Sequence, residues 1–541
     1  MKISGNIVDV RNRRIFSGEI TVKDSEITNI EENNNQYDNY IMPGFINAHV
    51  HIESSMLSPS SFAHIAVKHG TVATISDPHE IANVLGIKGI DYMIDSANKV
   101  PFKVFFGAPS CVPATAFETS GAIIDAKEIE KLIQRDDIWY LSEMMNFPGV
   151  IYKDQEVHAK LKSAQKYNKP IDGHAPFLMG EDLKKYASGG ITTDHECVTI
   201  EEALQKMALG IKVQIREGSA AKNFEALHSL ISKNPDMVML CTDDSHPDDL
   251  INGFVNLIVK RAVDYGHNIF DVLQTVTTNV VDHYNIPVGL LQEGDSADFI
   301  VVDNLKDFNT QATYINGELV FDGKKTLFDI PTSAPINRFD RAVIKSKGLA
   351  QVITKGSVLK IIEAYNGDLT TGVFKYKVNK DYSNFESDLD QDILKMVVLS
   401  RYDQSPVQVA YVKGFGLKTG AFASSIAHDS HNIIAVGTND NDLLSAINLL
   451  IDNKGGIAFA EGNNNESLPL EIAGLMSNKS IEEIAKRYKS IDDRIKEAGS
   501  TLYAPLMTAA FMSLLVIPKL KLGDKGLFDV ETFSFTDLIE K

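Results

Sequence analysis

Two histidines separated by a single residue are the most chemically informative feature of this chain. His49 and His51 lie in segment 43–53, which reads as a buried strand. Because successive side chains of a strand alternate between its faces, both imidazoles project to the same side. Such a pair can form half of a site for a divalent metal ion. Taken alone, the pair could equally be two ordinary polar residues near a strand end.

The elements that position these histidines follow a βα pattern. Apolar strand-like runs alternate with helical segments from residue 41 to about 285, which is typical of parallel βα units. The eight candidate strands span residues 44–51, 71–76, 102–106, 138–143, 170–174, 191–195, 211–215 and 237–243. Eight units in about 245 residues predict a closed (β/α)8 barrel, which typically needs ~250. Capping boxes at Asp77 to Glu80 and at Thr199 to Glu202 support the count, because both follow a strand.

The strand ends supply further metal-ligating side chains. In a (β/α)8 barrel the reactive residues lie at the carboxyl ends of the strands. The fourth, fifth, sixth and eighth candidate strands end in Glu143, His174, His195 and Asp243. Four imidazoles and two carboxylates suit two divalent ions, with one carboxylate bridging them. The sequence therefore predicts a two-metal site with the ligands His49, His51, Glu143, His174, His195 and Asp243.

The length of 541 residues indicates several domains. Residues 1–40 and 288–333 contain short strands and turns, and we expect them to pair into one composite β-sandwich domain flanking the barrel of residues 41–287. Residues 334–541 have their own strands, near 407–412, 433–436 and 457–460, and helices near 442–452 and 480–498. We therefore predict an α/β protein: a (β/α)8 barrel of the TIM type, the flanking β sandwich, and an additional C-terminal α/β domain.

Composition excludes several classes of protein. The net charge of −19 argues against nucleic acid as a partner, because phosphate binding needs a concentrated basic surface. Residues 1–6 lack the apolar core of a signal peptide, and the longest apolar run, 506–517, is too short to cross a bilayer. We expect a cytoplasmic protein without a membrane partner. Its three cysteines are too few and too dispersed for a disulfide framework, so we expect them to be buried and reduced.

The motifs resemble those of a known family. Segment 43–51, with the aspartate at the end of the eighth strand and a β sandwich built from both flanks, resembles the amidohydrolase superfamily. Segments 76–83, 142–146, 172–176, 193–196 and 241–244 closely resemble the adenine deaminase family, as do 427–432 and 437–440 near the C-terminus. The resemblance spans the chain and implies a two-metal enzyme of purine salvage that hydrolyses adenine to hypoxanthine and ammonia. The implied ions are Mn²⁺ or Fe²⁺, with Zn²⁺ as an alternative, and the expected assembly is a homo-oligomer, a dimer.

One departure from the wider superfamily concerns the end of the fourth strand. Many two-metal amidohydrolases, such as dihydroorotase and hydantoinase, bridge their metals there with a carboxylated lysine, whereas this chain has Glu143, as the adenine deaminases do. A glutamate bridges without added carbon dioxide. The site should therefore not depend on bicarbonate.

Deamination requires a strong nucleophile and controlled proton transfer. Two cations lower the pKa of a shared water, so that hydroxide is available at neutral pH to attack C6 of the purine. We assign His49, His51 and Asp243 to one metal, His174 and His195 to the other, and Glu143 to both. Asp243 is the first candidate for the proton shuttle. The further catalytic candidates are Glu80 and His79, and the substrate-binding candidates are Glu53, Asp77, Glu196, Asp244, His246 and His428.

Structural explanations compete with several of these roles. Glu80 could serve only the capping box with Asp77, Asp244 and His246 could only order the loop after the eighth strand, and His428 could lie at the surface or between domains. Two other functions also stay open. A cyclic amide hydrolase of the dihydroorotase or hydantoinase type would use the same hydroxide attack, and a metal-free scaffold would not need the six ligands.

Overall fold

The structure, a computed structural model, describes residues 1–219, 221–345 and 348–540. The chain begins with four strands: β1 (Lys2–Asp9), β2 (Arg14–Lys23), β3 (Glu26–Glu32) and β4 (Tyr40–Pro43). The eight strands that follow are β5 (Phe45–Val50), β6 (Thr71–Ser76), β7 (Lys103–Ala108), β8 (Ile138–Met144), β9 (Ile171–Gly173), β10 (Thr193–Asp194), β11 (Lys212–Arg216) and β12 (Val238–Cys241). They form one parallel sheet in sequential order, as the sequence predicts.

Helices and short 3₁₀ turns connect the barrel strands, and among the described residues four further helices follow the last of them. The α-helices are α1 (Pro59–Ala66), α2 (His79–Leu85), α3 (Ile87–Ala97), α4 (Ala126–Ile133), α5 (Phe147–Ile151), α6 (Gln155–Lys166), α7 (Gly180–Ala187), α8 (Ile200–Ala208), α9 (Phe224–Leu227), α10 (Leu230–Lys233), α11 (Pro247–Leu250), α12 (Val255–Asp264), α13 (Ile269–Gln274) and α14 (Thr278–Tyr284). The 3₁₀ turns are Ile52–Ser55, Val67–His69 and Pro235–Met237.

The barrel closes between its first and last strands, beside the predicted ligands. The Asp243 amide donates to the His49 carbonyl (3.0 Å), and the His51 amide donates to the Asp243 carbonyl (3.3 Å). All residues of β5 are buried, as expected for a parallel strand covered on both faces. Strands β9, β10 and β12 are shorter than predicted, so His174 and His195 follow their strands directly and Asp243 lies two residues after the end of β12.

One predicted helix cap is wrong. No side chain of the described residues caps α2, which begins after Pro78. The Asp77 carboxylate accepts from Nδ1 of His79 (3.0 Å), and the Glu80 carboxylate accepts from the Ser54 hydroxyl (3.0 Å). Both carboxylates are thus used in side-chain contacts at the barrel mouth. At α8 the predicted cap is present, because the Thr199 hydroxyl accepts from the amide three residues on.

The two flanks of the barrel pair with each other. After α14 come β13 (Phe299–Val302), β14 (Thr310–Ile315) and β15 (Glu318–Phe321). Strand β13 pairs antiparallel with β4, which gives a seven-stranded sheet in the order β15-β14-β13-β4-β1-β2-β3. The sheet has its own buried cluster, which includes Ile20, Ile41 and Phe299. The predicted contact between the N-terminal and post-barrel segments is therefore present.

The C-terminal part contains two further sheets. Its strands are β16 (Val358–Ala364), β17 (Thr371–Lys377), β18 (Ile393–Leu399), β19 (Gln408–Lys413), β20 (Ala421–Ser424), β21 (Ile433–Gly437), β22 (Gly456–Glu461), β23 (Asn464–Pro469), β24 (Leu520–Gly523), β25 (Gly526–Asp529) and β26 (Ser534–Phe535). Its helices are α15 (Asp440–Asp452), α16 (Ile481–Glu497) and α17 (Pro505–Phe511). Strands β16 to β23 form an eight-stranded sheet, and β24 to β26 a three-stranded one.

The C-terminal part packs directly on the barrel. One continuous apolar cluster contains residues of both, for example Phe62 of α1 and Ile484 of α16. The Ser480 hydroxyl caps α16, as the sequence predicts. All three cysteines are buried and free, which confirms that prediction. Within the described ranges, every helix is too short or too polar to traverse a lipid bilayer.

Candidate metal centre

The six predicted ligands meet at the carboxyl end of the barrel. Nε2 of His49 lies 3.2 Å from Nε2 of His51. Oδ1 of Asp243 completes this corner, at 3.4 Å from the His49 nitrogen and 3.2 Å from the His51 nitrogen. The alternation of side chains along β5 explains why both imidazoles reach the same point. Barrel closure at Asp243 brings in the carboxylate.

Glu143 lies between the two histidine pairs. Its Oε1 is 3.3 Å from Nε2 of His51. Its Oε2 is 2.8 Å from Nδ1 of His174 and 3.2 Å from Nε2 of His195. A single carboxylate therefore has one oxygen toward each pair. This is the arrangement that a bridging ligand requires.

The spacing of these atoms fits divalent cations. Ligand atoms about 2.1 Å from one ion, at angles of roughly 90–110°, lie ~3.0–3.4 Å from one another. The contacts within the cluster run from 2.8 to 3.4 Å. The six side chains are all buried, and the outer ring nitrogens of His49, His174 and His195 have no partner among the described residues. Imidazole and carboxylate ligands suit Mn²⁺, Fe²⁺ and Zn²⁺.

The carboxylates and imidazoles of the cluster shift one another's pKa values. Burial by itself raises the pKa of Glu143, but His174, His195 and His51 outweigh it and hold this pKa well below its usual value. Burial lowers the pKa of His195, yet its contacts with Glu143 and Glu196 raise it to about 10. The carboxylates thus attract positive charge strongly. A cation binding here competes with protons on the imidazoles, so metal affinity should rise with pH.

Arg216, which the sequence analysis missed, supports two of the carboxylates. Its guanidinium contacts both oxygens of Glu196, at 2.5 and 3.0 Å, and donates to Oδ2 of Asp243 at 2.7 Å. Burial raises the pKa of Asp243, but Arg216 and the neighbouring histidines together outweigh it and hold the pKa well below the usual value. Glu196 also lies 3.4 Å from Nε2 of His195. The available signal was a charged residue at the end of the seventh strand.

Asp77 and His79 form a second layer beside Glu143. The Asp77 carboxylate holds Nδ1 of His79, which also lies 3.4 Å from Oε1 of Glu143. On the other side of the ring, Nε2 is 3.8 Å from Oδ1 of Asp429 in the C-terminal part. The Asp77 carbonyl oxygen lies 3.2 Å from Nδ1 of His51. Both residues therefore adjoin the ligand cluster.

A separate group of predicted residues gathers above the cluster. The Ser54 hydroxyl lies 3.0 Å from Oε1 of Glu80 and 2.5 Å from Oδ1 of Asp244, so the two carboxyl groups share this one donor. Nδ1 of His428 lies 3.6 Å from Oε1 of Glu80. Glu53 accepts from the Ile81 amide (3.2 Å), and burial raises the pKa of Glu53 to about 7. The structure thus brings together predicted residues from both domains.

His246 is placed differently from the other predicted residues. Its Nδ1 lies 2.6 Å from the hydroxyl of Tyr488 on α16. The two rings are also edge to face, with centroids 4.9 Å apart. This imidazole is therefore used in the contact between the barrel and the C-terminal part, and its suggested role in substrate binding stays a prediction.

The comparisons agree with the fold. A family model described as "Amidohydrolase family" matches residues 40–320, and one described as "Adenine deaminase C-terminal domain" matches residues 368–534. The barrel is thus that of the amidohydrolase family. Proteins named adenine deaminase are 52% identical in Methanosarcina mazei and 49% identical in Borreliella burgdorferi, with 99% of each chain covered. The chain belongs to the adenine deaminase family.

Proposed function

We propose that this protein hydrolyses adenine to hypoxanthine and ammonia. The observation that carries the proposal is Glu143, whose two oxygens face His51 on one side and His174 and His195 on the other. Similarity to adenine deaminases over 99% of the chain supports the choice of substrate. The enzyme is a metal-dependent aminohydrolase.

The proposed ligand assignment follows the geometry of the cluster. His49, His51 and Asp243 would hold one ion, His174 and His195 the other, and Glu143 would bridge them. When bound, divalent cations would supply the nucleophile, because they lower the pKa of a coordinated water. We propose Mn²⁺ or Fe²⁺ as the ions, with Zn²⁺ as the alternative.

Asp243 is our candidate for the main proton transfer. Its Oδ1 faces His49 and His51, while Arg216 fixes Oδ2 and keeps the group ionised. We assign to Oδ1 the removal of the proton from the attacking water and its return to the departing amine. Ammonia leaves as a neutral molecule once its nitrogen has received this proton. The second proton of the water is lost from the oxygen on C6 as the carbonyl group forms, and it balances the proton that the ring nitrogen gains.

His79 is the second proton-transfer candidate. Asp77 holds its Nδ1, which leaves Nε2 directed toward the mouth of the barrel and Asp429. Burial lowers the pKa of His79, but Asp77 and Asp429 raise it well above its usual value. We propose that Nε2–H donates to the ring nitrogen beside the attacked carbon, which needs protonation as ring aromaticity is lost.

The substrate contacts that we propose come from Glu53, Glu80, Asp244 and His428. Glu80 and Asp244 share the Ser54 hydroxyl, and His428 approaches Glu80 from the C-terminal part. Glu80 therefore fits a role in holding the purine better than a role in capping α2. Glu196, paired with Arg216, fits a role in supporting Asp243 and His195.

The alternative function is hydrolysis of a cyclic amide. Such enzymes also use hydroxide attack, so the metal ligands alone do not separate the two reactions. Glu143 in place of a carboxylated lysine favours the deaminase. Rapid ammonia release from adenine without turnover of dihydrouracil would support our proposal, and the reverse result would replace it with the alternative.

The substrate assignment can be tested with a panel of bases. Metal-free protein would be loaded anaerobically with Fe²⁺ or Mn²⁺ and assayed for ammonia release from adenine, adenosine, guanine and cytosine. We expect turnover of adenine at a rate at least about a thousandfold above that of the other three. Faster turnover of any other member of the panel would contradict the assignment.

The assembly and the compartment are further proposals. We propose a homodimer in the cytoplasm, as expected from the resemblance. Sedimentation equilibrium of the metal-loaded chain should give twice the mass of 59.6 kDa. A monomer at micromolar concentration would contradict the dimer.

A further inference from the structure

A pair of buried polar groups faces across the boundary between the two domains. His431, in the loop after β20, is fully buried, and neither ring nitrogen has a partner among the described residues. Its Nε2 lies 3.9 Å from Oε2 of Glu80, which is also without a partner there. This separation is too long for a hydrogen bond. Unpaired buried polar atoms are costly, so two that face each other indicate a place for a ligand atom.

Neighbouring side chains hold the pair in place. The His428 ring stacks on Phe511, with centroids 4.8 Å apart and planes inclined by 13°, and this fixes its Nδ1 at 3.6 Å from Oε1 of Glu80. The Ser54 hydroxyl donates to the same oxygen. The Arg401 guanidinium contacts the carbonyl oxygen of His431 at 3.4 Å. The groups are therefore positioned before any ligand binds.

Asp244 lies close both to the proposed metal ligands and to Glu80. A carboxylate oxygen of Asp244 lies within 4.8 Å of ligand atoms of His51 and Asp243. A carboxylate oxygen of Asp244 also lies within 4.8 Å of a carboxylate oxygen of Glu80 and a ring nitrogen of His428. If the reacting carbon of a planar two-ring base lies over the metal ligands, the opposite edge of the base extends toward Glu80 and His431. This far edge of a free purine carries a ring N–H donor and a nearby ring nitrogen that accepts.

The chemistry of the pair matches that edge. Burial raises the pKa of Glu80 well above its usual value, and burial lowers the pKa of His431 well below its usual value. The two atoms that face each other can therefore supply one donor and one acceptor, namely Oε2 of Glu80 in its protonated form and Nε2 of His431 in its neutral form. The donor suits the ring nitrogen, and the acceptor suits the N–H.

We propose that Glu80 and His431, one from each domain, form the subsite that binds the unsubstituted N–H edge of the five-membered ring of the purine. This inference rests on the proposed function. It assigns to the C-terminal part a direct role in specificity: a base with a substituent on that nitrogen loses the hydrogen bond and clashes with the buried pair. Sites built around a substrate N–H discriminate strongly against analogues without it.

The test compares adenine with 9-methyladenine. In the metal-loaded wild type we expect kcat/KM for 9-methyladenine to be at least about a thousandfold below that for adenine, and its inhibition constant to exceed the KM of adenine by a similar factor. In His431→Leu, kcat/KM for adenine should fall about a hundredfold, mainly because KM rises. The binding of 9-methyladenine should change little. His431→Gln, which restores a donor and an acceptor, should recover part of the loss.

Controls separate this inference from the proposed function. His64→Leu replaces a histidine on α1 that contacts Phe328, and it should leave the discrimination unchanged. No adenine turnover by metal-loaded wild type would reject the proposed function itself. Two results would reject the subsite alone. The first is adenine turnover with equal binding of 9-methyladenine. The second is a His431→Leu variant that weakens the binding of both bases equally while metal content and the circular dichroism spectrum are unchanged. If His431→Leu does not fold, Glu80→Gln and the wild-type comparison decide.

Discussion

At the scale of single residues, the account depends on where a few charged side chains point. Glu143 has one oxygen near His51 and the other near His174 and His195. The sequence identified it because it ends the fourth predicted strand. The seventh predicted strand ended at residue 215, so the same reasoning missed Arg216, which is the last residue of β11.

Replacing Glu143 with glutamine should remove the bridge. The amide keeps the shape but loses the charge that draws cations to both histidine pairs. We expect metal affinity to fall by more than about 100-fold and turnover to fall with it. Metal analysis after gel filtration and an ammonia assay measure both quantities. Glu202→Gln is a matched control, because Glu202 is also buried but is paired with Lys206, and it should retain metal and activity.

Replacing Arg216 with methionine should destabilise the protein. The change leaves the buried carboxylates of Glu196 and Asp243 without their shared cation. Breaking such a buried pair typically costs about 3–5 kcal/mol. Urea unfolding of the metal-free protein measures the loss. Arg216→Lys should recover only part of it, since an ammonium cannot reproduce the fork-shaped contacts, and an unchanged midpoint in the methionine variant would contradict this role.

At the scale of elements, the strands and helices were more predictable than their exact ends. The eight barrel strands were recognised because buried parallel strands form continuous apolar runs separated by helix signals. The capping box at Asp77 failed because other side-chain contacts, one local and one long-range, compete with it. Asp77 instead holds His79, and Glu80 contacts Ser54. A carboxylate at the barrel mouth can match the sequence pattern of a helix cap although its contacts are with other side chains at the site.

Helix α16 gives a pH-dependent prediction through His246. Burial lowers the pKa of His246 to about 4, below the value of about 6.5 expected in the unfolded chain. Between these values the unfolded chain binds a proton that the folded protein does not. The stabilisation is therefore fully present above pH ~6.5 and is lost as the pH falls toward ~4, by at most about 3 kcal/mol.

The experiment compares wild type with His246→Gln by urea unfolding from pH 4.5 to 7.5. The stability advantage of the wild type over the variant should shrink as the pH falls through this window. The difference isolates His246 from other titrating groups. Parallel curves for the two proteins would show that His246 is not held neutral against Tyr488.

At the scale of the whole molecule, the C-terminal part completes the barrel mouth. Asp429, His428 and His431 approach residues of the barrel that lie more than 300 positions earlier in the chain. The sequence motif contains both histidines and suggested that a loop could bring one of them to the substrate, but it did not indicate that His431 faces Glu80. Such contacts depend on how two domains pack, and neither periodicity nor spacing within a domain encodes this.

The loop after β7 should be important for that packing. The Phe117 ring lies 4.9 Å from Phe528, 5.3 Å from Phe533 and 5.7 Å from Phe535 in the C-terminal hairpin. Phe117→Ala should cost about 1–3 kcal/mol and raise KM for adenine, because it loosens the part of the molecule that carries His428 and His431. Thermal unfolding and steady-state kinetics measure both effects. Metal content should be unchanged, and a loss of metal would show that the loop acts through the ligands instead.

The central claim is that six side chains hold two cations that together enable deamination. The most direct test is to titrate metal-free protein with Mn²⁺ under anaerobic conditions while the rate of ammonia release from adenine is measured. We predict that the rate rises to a sharp break at two equivalents per chain. Full activity at one equivalent, or an undiminished rate after complete metal removal, would contradict the account.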